Sequence, residues 1–534
     1  MQEFKGESIS KGIAFGYIKT INEKINTSNY IKGSVEEEWN RFLTAREKII
    51  NDLNVKAEKM RERKDEITSE IYSMQSSLCE DLDLEDMVKE EIENGHSVID
   101  AINSSSKSLS VMLSNMDDEY MKNRSADVLD IAKYFIKDIT GQNNIPDDSV
   151  DDYIAFSDDI SPATLLSIID KLKGIILKKG SKNGHTAIVA KTRGIPMIIN
   201  CNCDIDLENK NVILDGNSSK VIIDYDEETK KKYKDLEEKE IEAKEKLKAF
   251  IDKDAVTKAG QEIKVYCNIA NVDEAKKAKE CGAQGIGLFR SEFLYIGKDK
   301  SPSEEEQFNA YKSVLEIIGD KEVIIRTCDI GSDKPASYLN IPKEENPSLG
   351  FRAIRICLKD EEFFKTQLRA LYRASIYGNL SIMFPMIANL FEVQKAKKLC
   401  EEVKAELDNE GIHYSDKVKL GIMIETPAAA LISDILAKEV DFFSIGTNDL
   451  TQYTLACDRQ NDNVSNYVDI HHEAIKRLIH LTSKNAHENN ITVGICGALA
   501  SDTELLDFFI EEKIDELSVG VSNILELKGN ICSK

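Results

Sequence analysis

Along the second half of this chain stand side chains that could act on a small anion: Arg290 with Glu292, Arg326 with Asp329, Glu425, Asn448 with Asp449, Arg459 and Cys496. The guanidinium groups offer planar forks that match phosphate and carboxylate oxygens. Glu425 and Asp449 are hard oxygen ligands, too few to cage calcium but suited to a Mg²⁺ ion that keeps waters and substrate oxygens. Cys496 lies in Gly494-Ile495-Cys496-Gly497, where the glycines allow a ligand to approach closely. A thiol there can donate a proton if its surroundings set its pKa suitably. Together these residues predict a phosphorylated anion held by arginines and Mg²⁺, with an acid poised to protonate carbon.

A second reactive group stands earlier. The apolar run Gly174–Leu177 reads as a buried strand, Gly180 and Gly184 permit a tight turn, and Thr186–Lys191 reads as the opening of a helix. His185 then sits beside a helix N-terminus, where free N–H groups favour a bound anion. An imidazole in that position can accept a phosphoryl group. For that stretch taken alone, a surface-turn histidine is the alternative.

The elements that must position these groups follow from periodicity. From Val256 onward eight apolar runs alternate with helical segments: Val265–Ala270, Gly285–Phe289, Val323–Thr327, Ser381–Met386, Leu420–Ile424, Phe442–Ile445, Thr492–Ile495 and Leu517–Val519. Strands alternating with helices imply a parallel sheet, and eight of them imply a closed (β/α)₈ barrel whose reactive groups gather at the C-terminal mouth. Residues 257–534 are assigned to that barrel. Residues 1–32 and 142–226 read as one small α/β domain carrying His185. Between them, residues 33–141 read as a four-helix or hairpin-type insert opened by Ser34 and the acidic turn Glu36-Glu37-Glu38. Residues 227–256 read as a charged linker helix.

Composition bounds the function. A formal net charge of −25 over 534 residues argues against nucleic acid and for a basic protein partner. The acidic stretch Glu80–Asp86 of the helical insert is a solvated helix face or part of such a docking surface. No apolar run reaches the length that spans a bilayer, so neither membrane insertion nor a signal segment is expected and the location is read as cytoplasmic. The eleven cysteines show no zinc-site spacing and are expected to be reduced.

The runs Ile424–Ala430, Asp441–Ala456, Gly285–Leu294 and Pro342–Pro347, together with Gly12-Ile13-Ala14-Phe15-Gly16, resemble enzyme I of the bacterial phosphotransferase system. The resemblance implies phosphoenolpyruvate as substrate, contacted by Arg290, Arg326, Asn448, Asp449 and Arg459. It implies Mg²⁺ on Glu425 and Asp449, Cys496 as proton donor and His185 as the phosphohistidine of a swivelling domain. It further implies that the helical insert docks the carrier protein HPr, and that two copies pair through the barrel. The chain differs from the usual family pattern around the histidine, with Gly180-Ser181, Asn183-Gly184 and Lys191, and at Ala498, where a glutamate is usual. A dikinase relative lacking its nucleotide domain and a non-catalytic regulator that binds the same ligands are the alternatives.

Overall fold

The computed structural model describes all residues except 22–26, 29, 63–65, 115–118, 142–151, 161, 181–184, 204–207, 297, 299, 333–335, 340, 343, 460, 462–463 and 465–466. The chain divides into two units, residues 1–241 and 242–534.

In the first unit, strands β1 (Gln2–Lys5), β2 (Glu7–Ser10) and β3 (Ile13–Thr20) precede a helical block. Strands β4 (Tyr153–Ser157), β5 (Leu172–Leu177), β6 (Met197–Ile199), β7 (Asn211–Asp215) and β8 (Lys220–Ile223) follow it. All eight form one sheet in the order β1-β8-β7-β3-β4-β5-β6-β2. Strands β3 to β6 run parallel, which requires both faces to be covered. The period-two alternation of a strand sorts β5 accordingly. Ile175 and Leu177 pack on one face with Ala187 and Ala190, and Ile176 packs on the other with Ile198 and Leu214.

The helical block holds five described helices rather than the four-helix or hairpin form expected: α1 (Val35–Glu62), α2 (Glu66–Cys79), α3 (Leu82–Glu93), α4 (Val98–Ser114) and α5 (Glu119–Thr140). Helix α1 buries Phe42, Ala45, Ile49, Leu53 and Ala57, a three-and-four spacing that makes one apolar stripe. The acidic stretch beside it is partly structural. Asp81 caps α3 by accepting from the N–H groups of Asp83 and Leu84, and Glu85 pairs with Arg46 at 2.8 Å. Glu80, Asp83 and Asp86 remain exposed.

The second unit is a closed barrel of eight parallel strands: β9 (Lys264–Ile269), β10 (Ile286–Arg290), β11 (Glu322–Arg326), β12 (Asn379–Phe384), β13 (Lys419–Ile424), β14 (Phe442–Gly446), β15 (Thr492–Cys496) and β16 (Glu516–Val519). Each lies on one of the eight apolar runs, with ends shifted by two residues at most. Leu288, Ile324, Met383, Met423 and Phe442 fill the barrel interior beneath Cys496. Among the described residues, no helix is long and apolar enough to cross a membrane.

Glu38 of α1 is fully buried and organises the entry to the helical block. Its carboxylate accepts from the N–H groups of Val98 (2.6 Å) and Gly33 (2.8 Å) and from the Tyr30 hydroxyl, and it pairs with Arg41. Glu38→Ala leaves two backbone donors without an acceptor, an expected cost of about 3 kcal/mol. Trp39, the only tryptophan, stacks on Phe42 in the same helix, so its fluorescence reports this block alone. The urea midpoint followed at Trp39 is expected to fall in the variant; an unchanged midpoint would contradict the hub role.

Candidate active site

Three barrel strands end on a polar side chain that lines one mouth, and the connections supply the rest. Arg290 closes β10, and the 3₁₀ turn Ser291–Leu294 brings Glu292 inward, where it is buried. Arg326 closes β11, with Asp329 three residues on. Glu425 follows β13, and Thr426 caps the helix Pro427–Leu431 by accepting from the Ala429 N–H. The helix Thr447–Leu455 starts as soon as β14 ends, so Asn448 and Asp449 stand in its first turn. Cys496 closes β15. Gly497 adopts φ +102, and a Cβ there would lie 2.7 Å from Thr447 Oγ1, so the turn after the thiol requires glycine.

These groups line one cavity of about 630 Å³ that holds Arg290, Arg326, Glu425, Asn448, Asp449, Arg459 and Cys496 together. It also contains Arg352, which the sequence reading missed. Arg352 comes from the connection between β11 and β12 rather than from a strand end, so no periodic signal marks it. Its guanidinium donates to Asp329 Oδ1 at 2.7 and 3.2 Å. The same carboxylate, through Oδ2, pairs with Arg326 at 3.2 Å, and Arg326 also pairs with Glu292. Burial works against both guanidinium charges, yet these carboxylates raise the pKa of Arg326 and Arg352 above the ordinary arginine value. Arg459 reaches Asp449 at 3.6 Å. Arg290 makes no ion pair with a described residue, which leaves its fork available to a ligand.

Burial pushes the Glu425 carboxyl up to about 8, and the Asp449 and Asp329 carboxylates add to the effect against Arg326 and the Met386 N–H. That N–H donates to Glu425 Oε1 at 2.6 Å, from a residue held at φ +56. Glu425 Oε2 and Asp449 Oδ1 are buried with no hydrogen-bond partner. Two buried carboxylate oxygens without a hydrogen bond, one of them facing only the Arg459 guanidinium at 3.6 Å, fit a hard divalent cation, and the donor set agrees with that class. Burial also pushes the Cys496 thiol up to about 11, against a hydrogen bond from Ser444 at 3.5 Å. The thiol therefore carries its proton at neutral pH. Asn448 is oriented by the Ala498 N–H, which donates to its Oδ1 at 3.1 Å.

His185 belongs to the other unit. Its backbone opens the helix His185–Arg193, and the turn expected ahead of it falls on residues 181–184, outside the described residues.

Comparison with known proteins covers the chain end to end. Family models described as PEP-utilising enzyme match in three parts: the N-terminal part over residues 5–124, the mobile domain over 150–219 and the PEP-binding domain over 244–534. The phosphoenolpyruvate-protein phosphotransferase of Priestia megaterium is 38% identical over 99% of this chain and 94% of its own length. That of Bacillus subtilis is 38% identical over the same shares. That of Staphylococcus aureus is 42% identical over 78% of this chain and 74% of its own.

A cation on Glu425 must displace a proton while the carboxyl is held above neutral pH. Its affinity is thus expected to rise about tenfold per pH unit up to about pH 8 and then level off. Calorimetric Mn²⁺ titration of the free protein at a series of pH values reads this directly. A flat profile, or one unchanged in Glu425→Gln, would place the cation elsewhere.

Proposed function

The chain belongs to the phosphoenolpyruvate-protein phosphotransferase family, and from that premise we propose that His185 takes the phosphoryl group, Cys496 protonates the product and Mg²⁺ sits on Glu425 and Asp449. The activity itself is transfer from phosphoenolpyruvate to a protein histidine and on to a carrier protein, the step that feeds the phosphotransferase system. The observation that carries the barrel assignments is the gathering of arginine guanidiniums, two buried carboxylate oxygens without a hydrogen bond and a protonated thiol in one barrel-mouth cavity.

Phosphoryl transfer asks for charge neutralisation and in-line placement rather than covalent help from the barrel. Arg290 and Arg326, with Arg352 and Arg459 beside them, grip the phosphate and carboxylate oxygens of the substrate. Asn448 is held to orient it. The divalent cation, when bound, neutralises charge on the transferring group and the departing oxygen. The neutral imidazole of His185 attacks phosphorus, the bridging P–O bond breaks, and the enolate of pyruvate leaves. Cys496 then gives its proton to the methylene carbon, which traps the product as pyruvate.

The phosphorylated His185 passes its group to a histidine of the carrier, read here as HPr docking on the helical block, where Glu80, Asp83 and Asp86 offer exposed negative charge. Barrel and carrier are different partners, so the domain bearing His185 has to visit both. The charged helix Glu227–Lys248 is read as the hinge element. Exposed apolar side chains on barrel helices, Phe391 and Leu431 among them, support pairing of two copies through the barrel.

His185→Ala is expected to take up no phosphoryl group from labelled phosphoenolpyruvate while keeping its fold; persistent label would move the acceptor to another residue. Cys496→Ala tests the acid separately. An interaction used only in the transition state lowers turnover and leaves affinity nearly unchanged. Single-turnover pyruvate formation is therefore expected to slow by about a hundredfold or more while phosphoenolpyruvate still binds. Wild-type chemistry in this variant would reduce Cys496 to a packing residue.

A further inference from the structure

Cys201 and Cys203 follow β6 in the first unit, and the chemistry above uses neither. The Cys203 N–H donates to the Cys201 carbonyl at 3.0 Å, which closes a three-residue turn centred on Asn202. The two Sγ atoms stand 3.4 Å apart, in hydrogen-bond contact. Both residues are fully buried in the apolar face that contains Ile176, Ile198 and Leu214. Among the described residues, no third metal-ligating group joins them. A close pair of thiols set in an apolar face is suited to redox chemistry. The thiol–thiol contact lowers the pKa of Cys201 against the effect of burial, and with the two sulphurs already 3.4 Å apart this favours Cys201 as the nucleophile of the pair.

This turn is tied to the segment that leads to His185. The Cys201 N–H donates to the carbonyl of Leu177, the last residue of β5, at 3.1 Å. Gly180 rests on Ile199, where an added Cβ would meet Ile199 Cγ2 at 3.0 Å. An S–S bond is about 2.0 Å long, so bonding would draw the sulphurs together by roughly 1.4 Å from their 3.4 Å contact. That closure takes place on the turn whose Cys201 N–H holds the Leu177 carbonyl, next to the Ile199 side chain that packs on Gly180.

We propose that Cys201 and Cys203 form a reversible dithiol–disulfide modification site, oxidised by small peroxides, whose oxidation slows phosphoryl loading of His185. The Cys201 thiolate attacks one peroxide oxygen, the O–O bond breaks, and hydroxide leaves and is protonated to water, which makes Cys201 a sulfenic acid. The Cys203 sulfur then attacks Cys201 Sγ, the S–O bond breaks, and a second water departs. Two thiols lose two electrons and two protons in total, and one hydrogen peroxide becomes two waters. The effect on loading rests on His185 as acceptor; the oxidation does not.

The test starts with the full, reduced chain exposed to a small excess of hydrogen peroxide, then alkylated, digested and weighed. The peptide holding Cys201 and Cys203 is expected to lose two hydrogens, to resist alkylation and to recover with dithiothreitol. Recovery of both as alkylated thiols, or as separate sulfinic acids, would overturn the site. Loading from labelled phosphoenolpyruvate is then expected to run severalfold slower in the oxidised chain and to recover with dithiothreitol. A Cys201→Ser, Cys203→Ser chain should load alike before and after peroxide. An unchanged rate in wild-type chain shown by mass to be oxidised would overturn the control of loading. Label that persists in His185→Ala yet still slows on oxidation would displace the acceptor and leave the thiol pair in place.

Discussion

The mouth of the barrel depends on keeping one largely buried arginine charged. Arg326 is buried between Glu292 and Asp329, and a buried charge is tolerated only while its partners are held in place. Asp329 is shared with Arg352, and Arg352 in turn approaches the Tyr453 hydroxyl at 3.5 Å. That hydroxyl donates to the Ser348 carbonyl. One network thus joins the end of β10, the end of β11, the long connection to β12 and the helix after β14. Its practical result is preorganisation: the positive groups are fixed before any anion arrives, so little reorganisation is left for the reaction.

The same cavity sets two buried acids in opposite service. Burial keeps the Cys496 thiol protonated, which is the state a donor to carbon needs. Burial and neighbouring carboxylates also resist ionisation of Glu425, an effect that a bound cation would reverse. Apolar side chains beneath Cys496, such as Met423 and Phe442, supply the low dielectric on which both effects rest. In the proposed function the barrel manages charge and protons, while the covalent work falls to His185, which is carried on a different unit.

Much of this was legible in the sequence because parallel strands buried on both faces read as continuous apolar runs. The residue just past each run then points to the mouth, which is why Arg290, Arg326, Glu425 and Cys496 could be named together. Arg352 was not legible: it follows Gly350 and Phe351 in a connection built of 3₁₀ turns and short helices, with no repeating period. Ala353 beside it holds φ +52, a backbone state that sequence pattern does not announce for alanine. The helical block was read in kind but not in number, since no Gly or Pro separates α1 from α2 and the charged residues between them look like more helix. Part of the acidic stretch also proved structural, because Asp81 is a cap, a role visible only once the helix start is known.

The most direct test of the account is to incubate the intact chain with phosphoenolpyruvate and Mg²⁺, quantify pyruvate, and map the phosphoryl group by mass spectrometry under alkaline conditions. One phosphoryl group is expected for each pyruvate released, acid-labile and base-stable, on the peptide that contains His185. Pyruvate release without a protein-bound phosphoryl group, or a phosphoryl group on any other peptide, would contradict it.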